Sequence, residues 1–147
     1  MEQAGQLVVF TLGGESYGLP IGQVQEIIRH QEPRTMSATD PSVLGVISLR
    51  GRIVPVYDLA AKLGLPASTG TENAMIVIVA VADELAGIVV DAVEEVLSLD
   101  DVAFDELPTG AAAAFDKIAR IEDRLIVVLS GQALLGVEVP ALRAVAA

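Results

Sequence analysis

The chain has 147 residues, no cysteine, one histidine and a formal net charge of −11, a length that suits one domain able to fold without disulfides or metals. Residues 1–70 carry five Lys/Arg against six Asp/Glu and residues 71–147 carry four against fourteen, with no basic stripe for phosphate, so the charge argues against nucleic acid and toward protein partners. No basic, apolar leader is present and every apolar run stops short of the ~18 residues a spanning helix needs, so the expectation is a cytoplasmic soluble protein without direct membrane insertion.

Along the chain, Val/Ile/Leu-rich runs of strand length alternate with Gly, Asp, Asn or Pro, and helix is the minority. Gly13-Gly14 supplies the positive φ that a tight hairpin needs. Arg50-Gly51-Arg52 is a charged turn stranded between Val46-Ile47-Ser48-Leu49 and Ile53-Val54-Pro55-Val56, which makes Arg50 a recognition residue or an ion-pair partner. Asp58 is a good N-cap for a two-turn helix ending at Gly64-Leu65-Pro66, and its counterpart begins at Ser130. The segments His30 to Ser42, Pro66 to Asn73 and Leu107 to Ala114 read as surface loops.

An internal repeat organises these elements. Gly18 to Ile28 matches Gly87 to Leu97 without a gap, so that Gly18, Val24 and Glu26 recur as Gly87, Val93 and Glu95. Upstream, Leu7-Val8-Val9-Phe10 pairs with Ile76-Val77-Ile78-Val79, and with a small shift Arg50 to Gly64 aligns with Glu122 to Gly136. Two equivalent β-rich halves, approximately 7–65 and 76–136, favour two small barrels or a double sheet packed together over a βαβ sheet. Within that frame Arg50-Gly51-Arg52 becomes Glu122-Asp123-Arg124, a difference the shared fold does not require.

Little in the sequence suggests catalysis. His30, the sole histidine, stands among Arg29, Gln31 and Glu32 and lacks a neighbouring nucleophile. One histidine without cysteine makes a poor transition-metal site, and no phosphate loop, nucleophile elbow or HExxH pair occurs. Asp100, Asp101, Asp105 and Glu106 read as a solvated acidic loop. Glu94 and Glu95, adjacent on a strand, are expected to point to opposite faces. Tyr17 and Tyr57 read as core residues.

At the charged turn the chain resembles the CheW family of chemotaxis coupling proteins. The hallmark segment GVxNLRGxxxPVxDL, followed by a short helix and LGL, reads here GVISLRGRIVPVYDL and then Lys62-Leu63-Gly64-Leu65. Three further blocks occur in order, from Phe10 to Ile27, Gly87 to Leu97 and Leu125 to Leu135. Ser48 replaces the usual asparagine, and Ser130-Gly131 the usual aspartate-led start of the last helix. The resemblance implies a mainly β fold of two similar five-stranded β-barrel (SH3/OB-like) subdomains sharing a hydrophobic core, with short helices, some strand exchange between the halves, and one domain over 1–147.

It further implies a non-enzymatic adaptor without cofactors or metals. Its partners would be the regulatory domain of the CheA histidine kinase and the cytoplasmic tip of methyl-accepting chemoreceptors, and it would be recruited to membrane-associated receptor arrays. Carried over by position, Glu26 and Arg50 would form a salt bridge by the receptor groove, with Gly51, Val24, Ile27, Ile28 and Gly45 beside it. On the second half Val96 and Leu97 would present similar surface, and exposed β-barrel edges there would meet the kinase domain. Two other readings stay open: a β-barrel that binds a small anionic ligand through Arg50, and a CheW-like adaptor in a pilus or other chemosensory-like pathway.

Overall fold

The computed structural model describes residues 5–36, 41–65, 74–100, 102–106, 115–131 and 134. All of the loops from Pro66 to Asn73 and from Leu107 to Ala114, and part of the last helix, lie outside the described residues. The first half contains β1 (Gln6–Leu12), β2 (Glu15–Pro20), a 3-10 turn at Ile21–Gln23, β3 (Val24–Arg29), β4 (Val43–Leu49), β5 (Arg52–Asp58) and α1 (Leu59–Lys62). The second contains β6 (Met75–Val81), β7 (Glu84–Val90), β8 (Ala92–Ser98), β9 (Ala103–Asp105), β10 (Phe115–Ile121) and β11 (Arg124–Leu129). The fold is therefore mainly β with short helices.

The two sheets exchange hairpins. Strands β1 and β2 of the first half join β8 to β11 in the order β8-β1-β2-β11-β10-β9, and β6 and β7 of the second join β3 to β5 in the order β3-β6-β7-β5-β4. Each donated hairpin is stitched in by a parallel pair, β2 beside β11 and β7 beside β5. The ladders stay open at their end strands, and the three-residue β9 adds a sixth strand to one sheet, so each subdomain is a curled SH3-like sheet without a complete ring of hydrogen bonds.

This exchange explains why LVVF and IVIV are apolar without alternation. A strand covered on both faces reads as a continuous hydrophobic run, and both donated hairpins are covered in this way. Leu7 and Val9 face the interior of the six-stranded sheet with Ile126 and Val128, while Phe10 and Leu12 face a core shared by the two sheets. Likewise Ile76 and Ile78 fill the five-stranded sheet with Val54 and Val56, while Val77 and Val79 face the shared core. Tyr17 and Tyr57 belong to that shared core, Tyr17 lying between Phe10 and Phe115 with ring centroids 6.3 and 6.4 Å away. Burial holds its phenol above the usual range.

The repeated glycines sit where the curled sheets are tightest. A Cβ on Gly18 would stand 2.7 Å from the Leu7 side chain, and one on Gly87 would stand 2.8 Å from Ile76. Each interior thus gains an aliphatic side chain in the space a larger residue would take. The Asp58 carboxylate accepts the Ala61 N–H at 3.4 Å and caps α1, and Leu134 N–H reaches the Ser130 carbonyl at 2.9 Å at the corresponding place in the second half.

Candidate functional site

The Arg50-Gly51 pair is a two-residue turn flanked by Leu49 and Arg52, with φ of 52° and 82°. Positive φ at both positions matches the twist of a two-residue hairpin, and a glycine meets that demand without strain. Arg50, uncommon in this region, is thereby lifted off the sheet. It reaches Glu26 on β3, at the opposite end of the five-stranded sheet: Nε donates to Oε2 at 3.0 Å and Nη2 to Oε1 at 3.1 Å. Because β3 and β4 are end strands, this bidentate pair lies across the open seam.

The two partners are unequally exposed. Arg50 keeps 76% of its side-chain surface in solvent and Glu26 only 22%. The Arg50 hydrogen bonds hold the Glu26 carboxyl below its usual range, and Glu26 in turn raises the guanidinium. An exposed pair is screened by water and salt, so the geometry gives Arg50 more as an accessible cation of fixed direction than as a stabilising contact. Beside it Arg52 aims Nη2 at the Asp83 carbonyl at 3.5 Å, and Ile53 leaves 69% of its surface uncovered.

The other residues singled out by sequence take distinct places. Val24 and Ile27 are half-buried against the shared core, and Ile28 is half-buried against the interior of the five-stranded sheet. Gly45 is buried beneath the preceding chain: the backbone of Arg34 exchanges hydrogen bonds with Val46 at 2.8 and 2.9 Å, leaving no room for a Cβ. Val96 is 46% exposed, whereas Leu97 turns inward against the interior of the six-stranded sheet. Asp105 is not part of a free acidic loop. It lies on β9 and binds Arg120 on β10, with Nε at 3.2 Å from Oδ2 and Nη2 at 3.3 Å from Oδ1.

Glu94 and Glu95 require a correction. Expected on opposite faces, they converge on one cation: Arg124 Nη1 donates to Glu95 at 2.7 Å and Nη2 to Glu94 at 2.9 Å. The cause is a β-bulge. Val9 faces Glu95 while Phe10 faces Val93, so Glu94 is the extra residue of β8, and a bulge breaks the period-two alternation on which the expectation rested. Strand β3 carries the same device, Val24 facing Val79 and Glu26 facing Ile78 with Gln25 skipped. Thus the second half also has a glutamate-arginine pair, its cation moved from the turn to the first residue of the next strand.

Residues 6–139 match the model of the CheW-like domain. The chain belongs to the CheW family. It is 30% identical over 137 residues to the chemotaxis protein CheW of Bacillus subtilis strain 168, covering 90% of this chain and 88% of that one. The crystal structure of the scaffolding protein TtCheW from Thermoanaerobacter tengcongensis superposes with a TM-score of 0.79 at 32% identity, over 88% of this chain and 90% of that one. A shorter likeness links it to protein PilI of Pseudomonas aeruginosa, 31% identical over 84 residues, or 57% of this chain and 47% of that one. Among the described residues of this CheW-family chain, no helix is long and apolar enough to cross a membrane.

Proposed function

We propose that the chain is a non-enzymatic chemotaxis adaptor that couples methyl-accepting receptors to the CheA histidine kinase. Membership of the CheW family supports the adaptor class, and the observation that carries the site is Arg50 itself. Its guanidinium is aimed by Glu26 across the seam of one sheet while most of its surface remains open to a partner. A side chain already fixed in direction loses less freedom on binding than a loose one. In this reading the receptor tip lies against the seam, touching Arg50, Gly51 and the exposed parts of Val24, Ile27 and Ile28. The kinase regulatory domain meets the second half, where Val96 is exposed, and its binding needs no chemistry from the chain.

The test is a pull-down of purified receptor tip and kinase regulatory domain on native chain and on folded Arg50→Glu. Native chain retains both, and the variant loses at least about tenfold in receptor affinity, the scale expected when a recognition cation becomes an anion, while kinase binding stays within about twofold. Equal receptor binding by the folded variant would remove Arg50 from the site, and failure of native chain to bind either partner would remove the function. The likeness to PilI favours a second reading, in which the same adaptor serves a pilus or other chemosensory-like pathway. Receptor tips from the two kinds of pathway, offered in competition, separate the two readings.

A further inference from the structure

Duplication placed a glutamate after a β-bulge in each half, Glu26 on β3 and Glu95 on β8, and each meets an arginine from the hairpin that follows later in its half. The two pairs differ in stoichiometry. Arg50 binds one carboxylate, whereas Arg124 binds two through separate nitrogens. Glu94 and Glu95 are sequence neighbours brought to one side by the bulge, so without a cation between them they would repel. Arg124 is also less exposed than Arg50, at 42% of its side chain.

Strand β8 is an end strand, hydrogen-bonded to β1 on one side, and Arg124 reaches it from β11, which is separated from it in the sheet by β1 and β2. The contact therefore ties two parts of the curl that the ladder itself does not join. Val96, exposed, follows Glu95 directly, and Leu97, turned inward, follows Val96. Whatever sets the bulge also sets which of these side chains points outward.

We infer that Arg124 is a positioning residue for the second half: by gripping both carboxylates of the bulge it fixes the end strand β8, and with it the outward face at Val96 that the kinase domain meets. This rests on the proposed kinase contact. Lysine is a poor substitute, because a single ammonium cannot offer two fixed, diverging donors to two carboxylates.

The test compares full-length native chain, Arg124→Gln and Arg124→Lys by amide hydrogen exchange and by affinity for the kinase regulatory domain and the receptor tip. Exchange in residues 92–98 rises about fivefold or more in Arg124→Gln and is only partly restored in Arg124→Lys, while residues 24–29 exchange as in native chain. Kinase affinity falls by about the same factor and receptor affinity holds. Unchanged exchange in 92–98, or equal loosening of both strands, overturns the inference, since a general loss of stability does not choose one sheet. Local loosening with kinase affinity unchanged also overturns it. If native chain does not bind the kinase domain, the proposed function fails, whereas the exchange pattern still decides whether Arg124 holds β8.

Discussion

Phe10→Ala is expected to lower the stability of the fold by about 3–5 kcal/mol, the range for emptying a buried aromatic site. Phe10 is fully buried, stacks at 20° on Tyr17 and lies in the core shared by the two sheets. It belongs to β1, the strand that the first half donates to the other sheet, so its loss weakens the packing that holds both curls together. The rigid strand neighbours limit collapse into the space. Urea unfolding followed by circular dichroism measures the effect, and a midpoint within a few tenths molar of the native one would mean that Phe10 does not anchor the shared core.

Gly45→Ala is the second large effect, about 2–4 kcal/mol. The added Cβ would stand 2.2 Å from the Arg34 carbonyl oxygen, and Gly45 has φ of 152°, a value side-chain-bearing residues rarely adopt. The obstacle is backbone and cannot rotate away. Relief requires the segment at Pro33 and Arg34 to leave β4, breaking the Arg34–Val46 hydrogen bonds. The variant should therefore unfold at lower urea and lose amide protection at Val46. Native-like protection there would contradict the close approach. Gly45 is conformational in this account: it lets the chain at Arg34 pass over β4.

Much of the fold was legible because it is written as composition and period. The match of Gly18, Val24 and Glu26 to Gly87, Val93 and Glu95 disclosed the duplication, and the glycines proved to relieve equivalent crowding at Leu7 and Ile76. The family blocks carried the SH3-like architecture. What the sequence could not specify is which hairpins exchange, since pairing of β2 with β11 spans more than a hundred residues and leaves no local mark. Bulges were equally silent. Gln25 and Glu94 have no residue signature that marks them as extra, yet their insertion decides which way Glu26, Glu95 and Leu97 turn. For that reason Arg124 is not legible as a partner: the alignment sets Glu122 opposite Arg50, whereas the ion pair persists two residues further on, at Arg124. The repeat itself was a usable signal, since a duplicated Glu26 invites a search for a second cation.

The site divides along the same lines. Arg50 and Glu26 stand at the open seam of one sheet, and Arg124 with Glu94 and Glu95 joins β11 to the end strand of the other. Two separately braced sheets around one core suit the proposed adaptor, because each partner surface would be fixed without reference to the other.

Simultaneous binding is therefore the decisive measurement. Sedimentation velocity of native chain with the kinase regulatory domain and a receptor-tip fragment, each also run in pairs, should reveal a ternary complex that sediments faster than either binary one and disappears when the chain is omitted. Two binary complexes that compete, with no ternary species at saturating concentrations, would contradict the adaptor account.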